Sequence, residues 1–331
     1  MDDNNQTMSN DEPMDPQLLI AIRFIICGIG ILANAFVLFV LIYNNIYKKT
    51  LTHLLIVQQS VIDLFACVLM LSFFTYPVPS DAGVPFCKAL NLFWCVTYTS
   101  TYNLVIITME RYFAVLHPKF FRLHFHDKRG RFLLLLPYII GFVTGMELFF
   151  YATYDENTGE CAYAYDTAFW GVFFFITQYL FPVFVMMFCY VRILISLRRR
   201  QTPTRASQNV ESISKSSVTN KQPRNWLRRA QRSLIYTICF VGLAFFITVT
   251  PNKIIFFVYI ICACFELSDI IIIYEISIVL NTMNLSINPV IYAFTFYDFK
   301  RGMKQLKIDV LKIMGKGDDA ELTQTPMSST L

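Results

Sequence analysis

Apolar residues gather along this chain into seven runs, and each run is long enough to cross a bilayer as a helix of about 20 residues. The runs extend approximately over Leu18–Tyr43, Leu51–Phe74, Leu90–Leu116, Phe132–Tyr151, Ala168–Ile195, Ser233–Cys262 and Ile270–Phe296. A different pattern follows them. Phe299, Met303, Leu306, Val310 and Ile313 recur at intervals of four, three, four and three, with Lys300, Lys304, Lys307 and Lys312 among them. That spacing predicts an amphipathic helix lying on the inner leaflet rather than crossing it. Gln201–Asn225, rich in Ser, Thr, Arg and Pro, and the tail from about Gly315 are expected to be weakly ordered. No internal repeat relates the runs, which counts against an inverted-repeat transporter.

Charge gives the runs a direction. Of the 28 Lys and Arg, all but Arg23, Lys88 and Lys253 fall at or beyond one set of run ends. They cluster at Lys48 and Lys49, from Lys119 to Arg131, from Arg198 to Arg232 and from Lys300 to Lys316. Acids such as Asp11, Asp81, Asp155, Glu160 and Glu266 dominate the other face. Lys- and Arg-rich loops stay in the cytosol during insertion, so the N-terminus is expected outside and the C-terminus inside a multi-pass plasma-membrane protein. The predicted organisation is all-α: an extracellular segment over 1–17 and a seven-helix membrane domain over 18–296, its third cytoplasmic loop at about 199–230. An amphipathic helix over 297–314 and a cytoplasmic tail over 315–331 complete it.

Composition narrows this further. A hydrophobic fraction of 55% with 32 Phe in 331 residues leaves no room for a separate soluble domain. The first sixteen residues have no apolar core, so no cleaved signal peptide is expected. A net charge of +5 in a soluble protein would suggest nucleic acid, but here the basic residues border membrane spans, where anionic lipid attracts them. Most of the nine cysteines lie in apolar runs as small hydrophobes, and Cys262 with Cys264 is too few for a zinc site. Cys87, at the outer end of the third run, and Cys161, in an acidic outer loop, face oxidising conditions and are expected to form a disulfide.

Ionisable and amide side chains inside a bilayer are functional candidates because burying them is costly. Asp63 lies midway along the second run, with Asn34 at similar depth in the first and Asn284 and Asn288 in the seventh. Facing inward, they would form a polar cluster in the bundle core, for function or for packing alone. The third run ends in Met109-Glu110-Arg111-Tyr112 followed by His117-Pro118, and the seventh ends in Asn288-Pro289-Val290-Ile291-Tyr292. Pro182 precedes Tyr190 by eight residues, and Pro251 interrupts the sixth run. In order and spacing over about residues 17 to 314, this constellation resembles the rhodopsin-like family of G-protein-coupled receptors.

The resemblance implies roles for individual residues. Glu110 would hold Arg111 in the resting state, and Arg111 on release would meet Tyr190, Tyr292 and a heterotrimeric G protein. Tyr112, Asn288 and Pro289 complete the matching motifs. Asp63, Ser100, Asn284 and Asn288 resemble an internal sodium and water site. Leu104 and Phe245 resemble an apolar gate, and Thr101, Pro182 and Phe245, with Pro251, resemble the packing switch beneath the ligand pocket. Val249 and Tyr138 stand where the family usually has Trp. No Cys follows the amphipathic helix to carry a palmitoyl anchor. Phe120 is the best match to the residue that plugs into a transducer.

For the ligand, Leu92, Phe93, Trp94 and Cys95 offer no carboxylate for a biogenic amine, and Thr282 stands where an opsin needs lysine. The acids and aromatics Tyr98, Tyr102, Glu147, Tyr151, Tyr163, Tyr165, Trp170 and Glu275 suit a cationic, aromatic-bearing peptide, and Phe93, Trp94 and Lys253 complete the expected pocket. Pro251-Asn252-Lys253-Ile254-Ile255 is also similar to neuropeptide receptors. A lipid or other small molecule is the alternative ligand, and a non-signalling decoy or an ion-coupled transporter the alternative protein. No nucleophile or ligand spacing suggests an enzyme. Asn5 opens an outward glycosylation sequon. Ser329-Thr330-Leu331 could extend a PDZ sheet edge, and the tail's Ser and Thr would serve receptor kinases and arrestin.

Overall fold

Each apolar run folds as a helix because, in hydrocarbon, backbone N–H and C=O groups can be paired only within the segment. The computed structural model describes residues 16–74, 77–125, 128–157, 159–163, 167–201, 222–262 and 267–314. Among them, α1 spans Pro16–Tyr43, α2 Leu51–Phe73, α3 Gly83–Leu116 and α4 Leu136–Tyr151. α5 runs in three pieces: Thr167–Phe175, a π-helical turn at Ile176–Leu180, and Phe181–Gln201. α6 spans Gln222–Cys262, α7 Leu267–Thr295 and α8 Tyr297–Ile313. Among the described residues, seven helices are long and apolar enough to cross a membrane. The N-terminal fifteen residues, 164–166, the segment 202–221 and the tail after Met314 lie outside the described residues, and with them Asn5, Tyr165 and the PDZ-type ending.

α3 is the centre of the bundle and packs against α2, α4, α5 and α6, while α1 closes the ring between α2 and α7. Its contact with α4 is close because Gly141 and Gly145, one turn apart, face it. A Cβ at Gly141 would strike Thr99, and one at Gly145 would meet Cys95. Inward faces are buried, whereas Leu32 and Phe184 are 73% and 69% exposed, the reverse of a water-soluble core. α5 and α6 extend into the segment expected as a loop over 199–230, and α3 begins earlier than Leu90.

One end of the bundle carries a two-stranded antiparallel hairpin, β1 (Ala152–Asp155) and β2 (Glu160–Tyr163), the one departure from helix among the described regular elements. Cys161 on β2 is bonded to Cys87 on α3, with Cα atoms 5.5 Å apart. α8 docks at the opposite end. Phe299 is buried there, and Asn44 Nδ2 donates to the Gly302 carbonyl at 3.2 Å.

Two interior prolines each leave a carbonyl without its helical donor, and a neighbouring helix supplies the replacement. Pro289 cannot donate to Leu285, and Asn34 Nδ2 from α1 reaches that carbonyl at 2.9 Å. In the π turn Phe181 N–H pairs with Ile176, so Thr177 faces Pro182, and the Tyr102 hydroxyl from α3 donates to the Thr177 carbonyl at 2.7 Å.

Candidate functional site

Functional side chains lie in three layers along α3. In the middle layer Asp63 is wholly buried and its three hydrogen-bond partners among the described residues are all donors. Oδ1 accepts from Gln59 Nε2 at 2.9 Å and Ser100 Oγ at 2.7 Å, and Oδ2 from Asn288 Nδ2 at 2.8 Å. Gln59 sits one helical turn before Asp63, on the same face of α2. Its Nε2 also donates to Ser100 Oγ at 2.6 Å, and its Oε1 accepts from Asn103 Nδ2 at 2.8 Å, which fixes which way the amide points. Asn284 is turned elsewhere, its Oδ1 accepting from Thr248 Oγ1 on α6 at 3.4 Å. A cation is held by converging oxygen lone pairs. Here N–H and O–H groups converge on the carboxylate instead, so Asp63, Ser100 and Asn284 in this arrangement do not fit a sodium ion. Asn34 serves the Leu285 carbonyl rather than Asp63.

Toward the α8 end, Arg111 and Glu110 form a bidentate pair, Nε to Oε2 at 2.6 Å and one terminal nitrogen to Oε1 at 2.5 Å. Thr52 Oγ1 on α2 adds a third donor to Glu110 at 2.6 Å. Tyr190 bonds Thr108 at 3.0 Å, and the rings of Tyr190 and Tyr292 line one small apolar cavity with Ile56, Leu104, Ile107, Ile238 and Val241. Leu104, Phe245 and Val249 belong to the same buried core, whereas Thr101 bonds its own helix at Thr97. Pro182 is buried directly after the π turn. Tyr112 lies apart from these, its ring edge-on to Phe113 and tilted against His117 and Phe188. Phe120 packs on Phe113 and His124.

Below this layer the first turn of α8 is locked to the start of α2. Asp298 accepts from Lys49 Nζ at 2.5 Å and lies 3.2 Å from His53 Nε2. Burial alone would raise its carboxyl, but the hydrogen bonds and charge of His53 and Lys49 prevail and lower it from the ordinary 3.8 to about 2.

At the disulfide end Lys253 Nζ lies 5.3 Å from the ring centroids of both Trp94 and Tyr98. Trp94 in turn meets Phe93 and Phe74 edge-on. Glu275 is held by Arg23 at 2.5 Å, Phe93 is buried against α2, and the Tyr102 hydroxyl is engaged at Thr177. The expected pocket therefore brings together Trp94, Tyr98 and Lys253, and uses Glu275, Phe93 and Tyr102 elsewhere. Tyr179 of α5 donates to Thr250 Oγ1 of α6 at 2.9 Å, one residue before Pro251. Neither this bond nor Gln59 and Asn103 was singled out from sequence, although a Gln four residues before a buried Asp is a readable signal.

The 7 transmembrane receptor (rhodopsin family) model matches residues 33–292, most of the chain. The chain is also similar to a protein named Allatostatin-A receptor from Bombyx mori. The two are 24% identical over 292 residues, covering 84% of this chain and 76% of that one.

Proposed function

This chain belongs to the rhodopsin family of seven-transmembrane receptors, and we propose that within it the protein is a peptide receptor that turns binding at the disulfide end into G-protein activation at the α8 end. The family implies a plasma-membrane protein with an extracellular ligand and a G-protein partner. The basic clusters at Lys48 and Lys49 and along α8 support placing the α8 end in the cytosol. The peptide assignment draws on the similarity to a receptor named for allatostatin-A and on the aromatic character of the Lys253 layer. Arrestin, receptor kinases and a PDZ protein are proposed partners of the tail.

One observation carries the switching mechanism: the buried, bidentate Glu110–Arg111 pair on the same helix that carries Trp94 and Tyr98. A guanidinium stays charged and can exchange a carboxylate for other acceptors, so it can serve two states of a two-state bundle. An agonist favouring the state in which the pair is open shifts the population toward it. The test is nucleotide exchange on a G protein, driven by a peptide library in cells expressing the receptor. Arg111→Ala at normal surface level should abolish peptide-driven exchange, and Glu110→Gln should raise the basal rate. Full activation by Arg111→Ala would refute the mechanism, and peptide-independent uptake of ions or solutes would favour a transporter.

A further inference from the structure

Lys253 is a cation inside the bundle that no described residue neutralises. Among the described residues, Arg23 is paired with Glu275, Arg111 with Glu110, and Lys49 with Asp298, but no carboxylate lies within ion-pair distance of Lys253 Nζ. What the described residues offer it is two ring faces, Trp94 and Tyr98, at 5.3 Å each. Cation–π contact offsets only part of the cost of withdrawing an ammonium from water. An ionisable group kept in a membrane bundle without a partner is a site waiting for one.

The position favours an incoming group. Lys253 lies close above Pro251 on α6, and its side chain is only partly covered. Trp94 begins about 10 Å below Cys87 along α3, from a rise of about 1.5 Å per residue. Of the acids that would have suited a cationic ligand, Glu275 is bound to Arg23, and Glu147 on α4 is enclosed rather than open to an incoming group.

We propose that Lys253, held between Trp94 and Tyr98, anchors a carboxylate at the buried end of the ligand. Resting on the peptide-receptor reading above, this means that the peptide inserts an acidic side chain or a free C-terminus beside an aromatic residue, the reverse of the cationic peptide that the outer acids suggest. An oxygen anion completes the ammonium's hydrogen bonding, and the rings keep water from competing for it.

The test uses a matched pair of probes, N-acetylphenylalanine and N-acetylphenylalaninamide, which differ in charge and hardly in shape. Thermal unfolding of the purified full chain in nanodiscs is followed with each probe at equal millimolar concentration, for wild type, Lys253→Met and Lys253→Arg. The acid should raise the midpoint of the wild type and of Lys253→Arg above that seen with the amide, and Lys253→Met should erase the difference. Equal shifts by acid and amide, or a difference that survives Lys253→Met, overturn the anchor. In parallel, the cell screen uses library peptides as acid and amide twins and as Asp and Asn twins. Loss of the relevant carboxylate should lower potency at least tenfold on wild type and little on Lys253→Met. Which twin matters tells a C-terminus from a side chain. If the probes behave as expected but no peptide activates the wild type, the anchor stands and the peptide reading falls. If peptides activate but acid and neutral twins are equipotent, the anchor falls and the peptide reading stands.

Discussion

Asp63 and Lys253 are both charged groups inside the same bundle, and the chain treats them in opposite ways. Asp63 receives three donors from α2, α3 and α7, and two of those donors are themselves tied into an amide chain through Ser100 and Asn103. Lys253 receives two aromatic faces and, among the described residues, no acceptor. A buried charge saturated by its own chain is part of the packing, because any movement of its neighbours strands a polar group. A charge left with rings alone costs stability in the free protein and returns it only when something binds. The contrast separates a layer built to hold the helices together from a layer built to be completed.

The largest effect should come from emptying the saturated layer. Asp63→Leu strands donors on Gln59, Ser100 and Asn288, each worth about 1–3 kcal/mol when buried and unpaired, and should sharply lower the unfolding midpoint and surface level. Lys253→Met, which removes an uncompensated charge at similar volume, should leave the midpoint unchanged or raise it. The contrast breaks if the lysine variant is the less stable of the two in nanodiscs.

Next in size is the disulfide that holds the hairpin above the Lys253 layer. Cys87→Ser and Cys161→Ser should each cost about 2–5 kcal/mol, and the double variant should cost no more than either alone. Peptide binding should fall further than the Glu110–Arg111 end is disturbed, as read by basal nucleotide exchange. Normal binding in both single variants would show that the hairpin does not shape the pocket.

Sodium sharpens the comparison on a smaller scale. With Gln59 donating to Asp63 and Ser100, the wild type should unfold at the same midpoint in sodium and in choline. Gln59→Leu withdraws those donors, and sodium should then stabilise the variant, by about 1.4 kcal/mol at about ten times its Kd. A sodium response in the wild type as large as in the variant would mean that the amide is readily displaced.

The smallest effect is at Asp298, outside the spans. A carboxyl whose folded value is depressed stabilises fully above its unfolded value and loses that contribution as pH falls through the folded one. With the ordinary 3.8 lowered to about 2, the lock between α8 and α2 should be constant at neutral pH and disappear between those limits. Lys49 is half in water, so screening leaves about 1 kcal/mol. Asp298→Asn should flatten acid unfolding of the detergent-solubilised chain over that window, and an identical acid profile would exclude the lock.

The seven spans, the stripe of α8 and the Cys87–Cys161 pair were legible because each depends on a local rule: length, period, or two cysteines on one side of a membrane. Residue roles were less so. Asp63 could be read as a buried acid, but whether oxygens or N–H groups would converge on it depended on Gln59 and Asn103, which belong to different helices and carry no motif. Glu275 looked free until Arg23, 252 residues away in sequence, was seen to hold it. Lys253 reads from sequence as a pocket residue, but its lack of a carboxylate partner among the described residues is a property of what the fold leaves out of reach.

The carbonyls released by Pro289 and Pro182 have one more consequence. A proline kink is usually pictured as a private hinge, free to bend within its own helix. Here each hinge is buttoned to a neighbour, Leu285 by Asn34 and Thr177 by Tyr102. α7 cannot straighten or swing without α1 releasing it, and α5 cannot turn at its π segment without α3 doing the same. Tyr102 lies one turn beyond Tyr98 on α3, so a ligand that tilts the aromatic layer would pull on the button itself. The bundle is thus geared rather than jointed, and motion entering at one helix leaves through another.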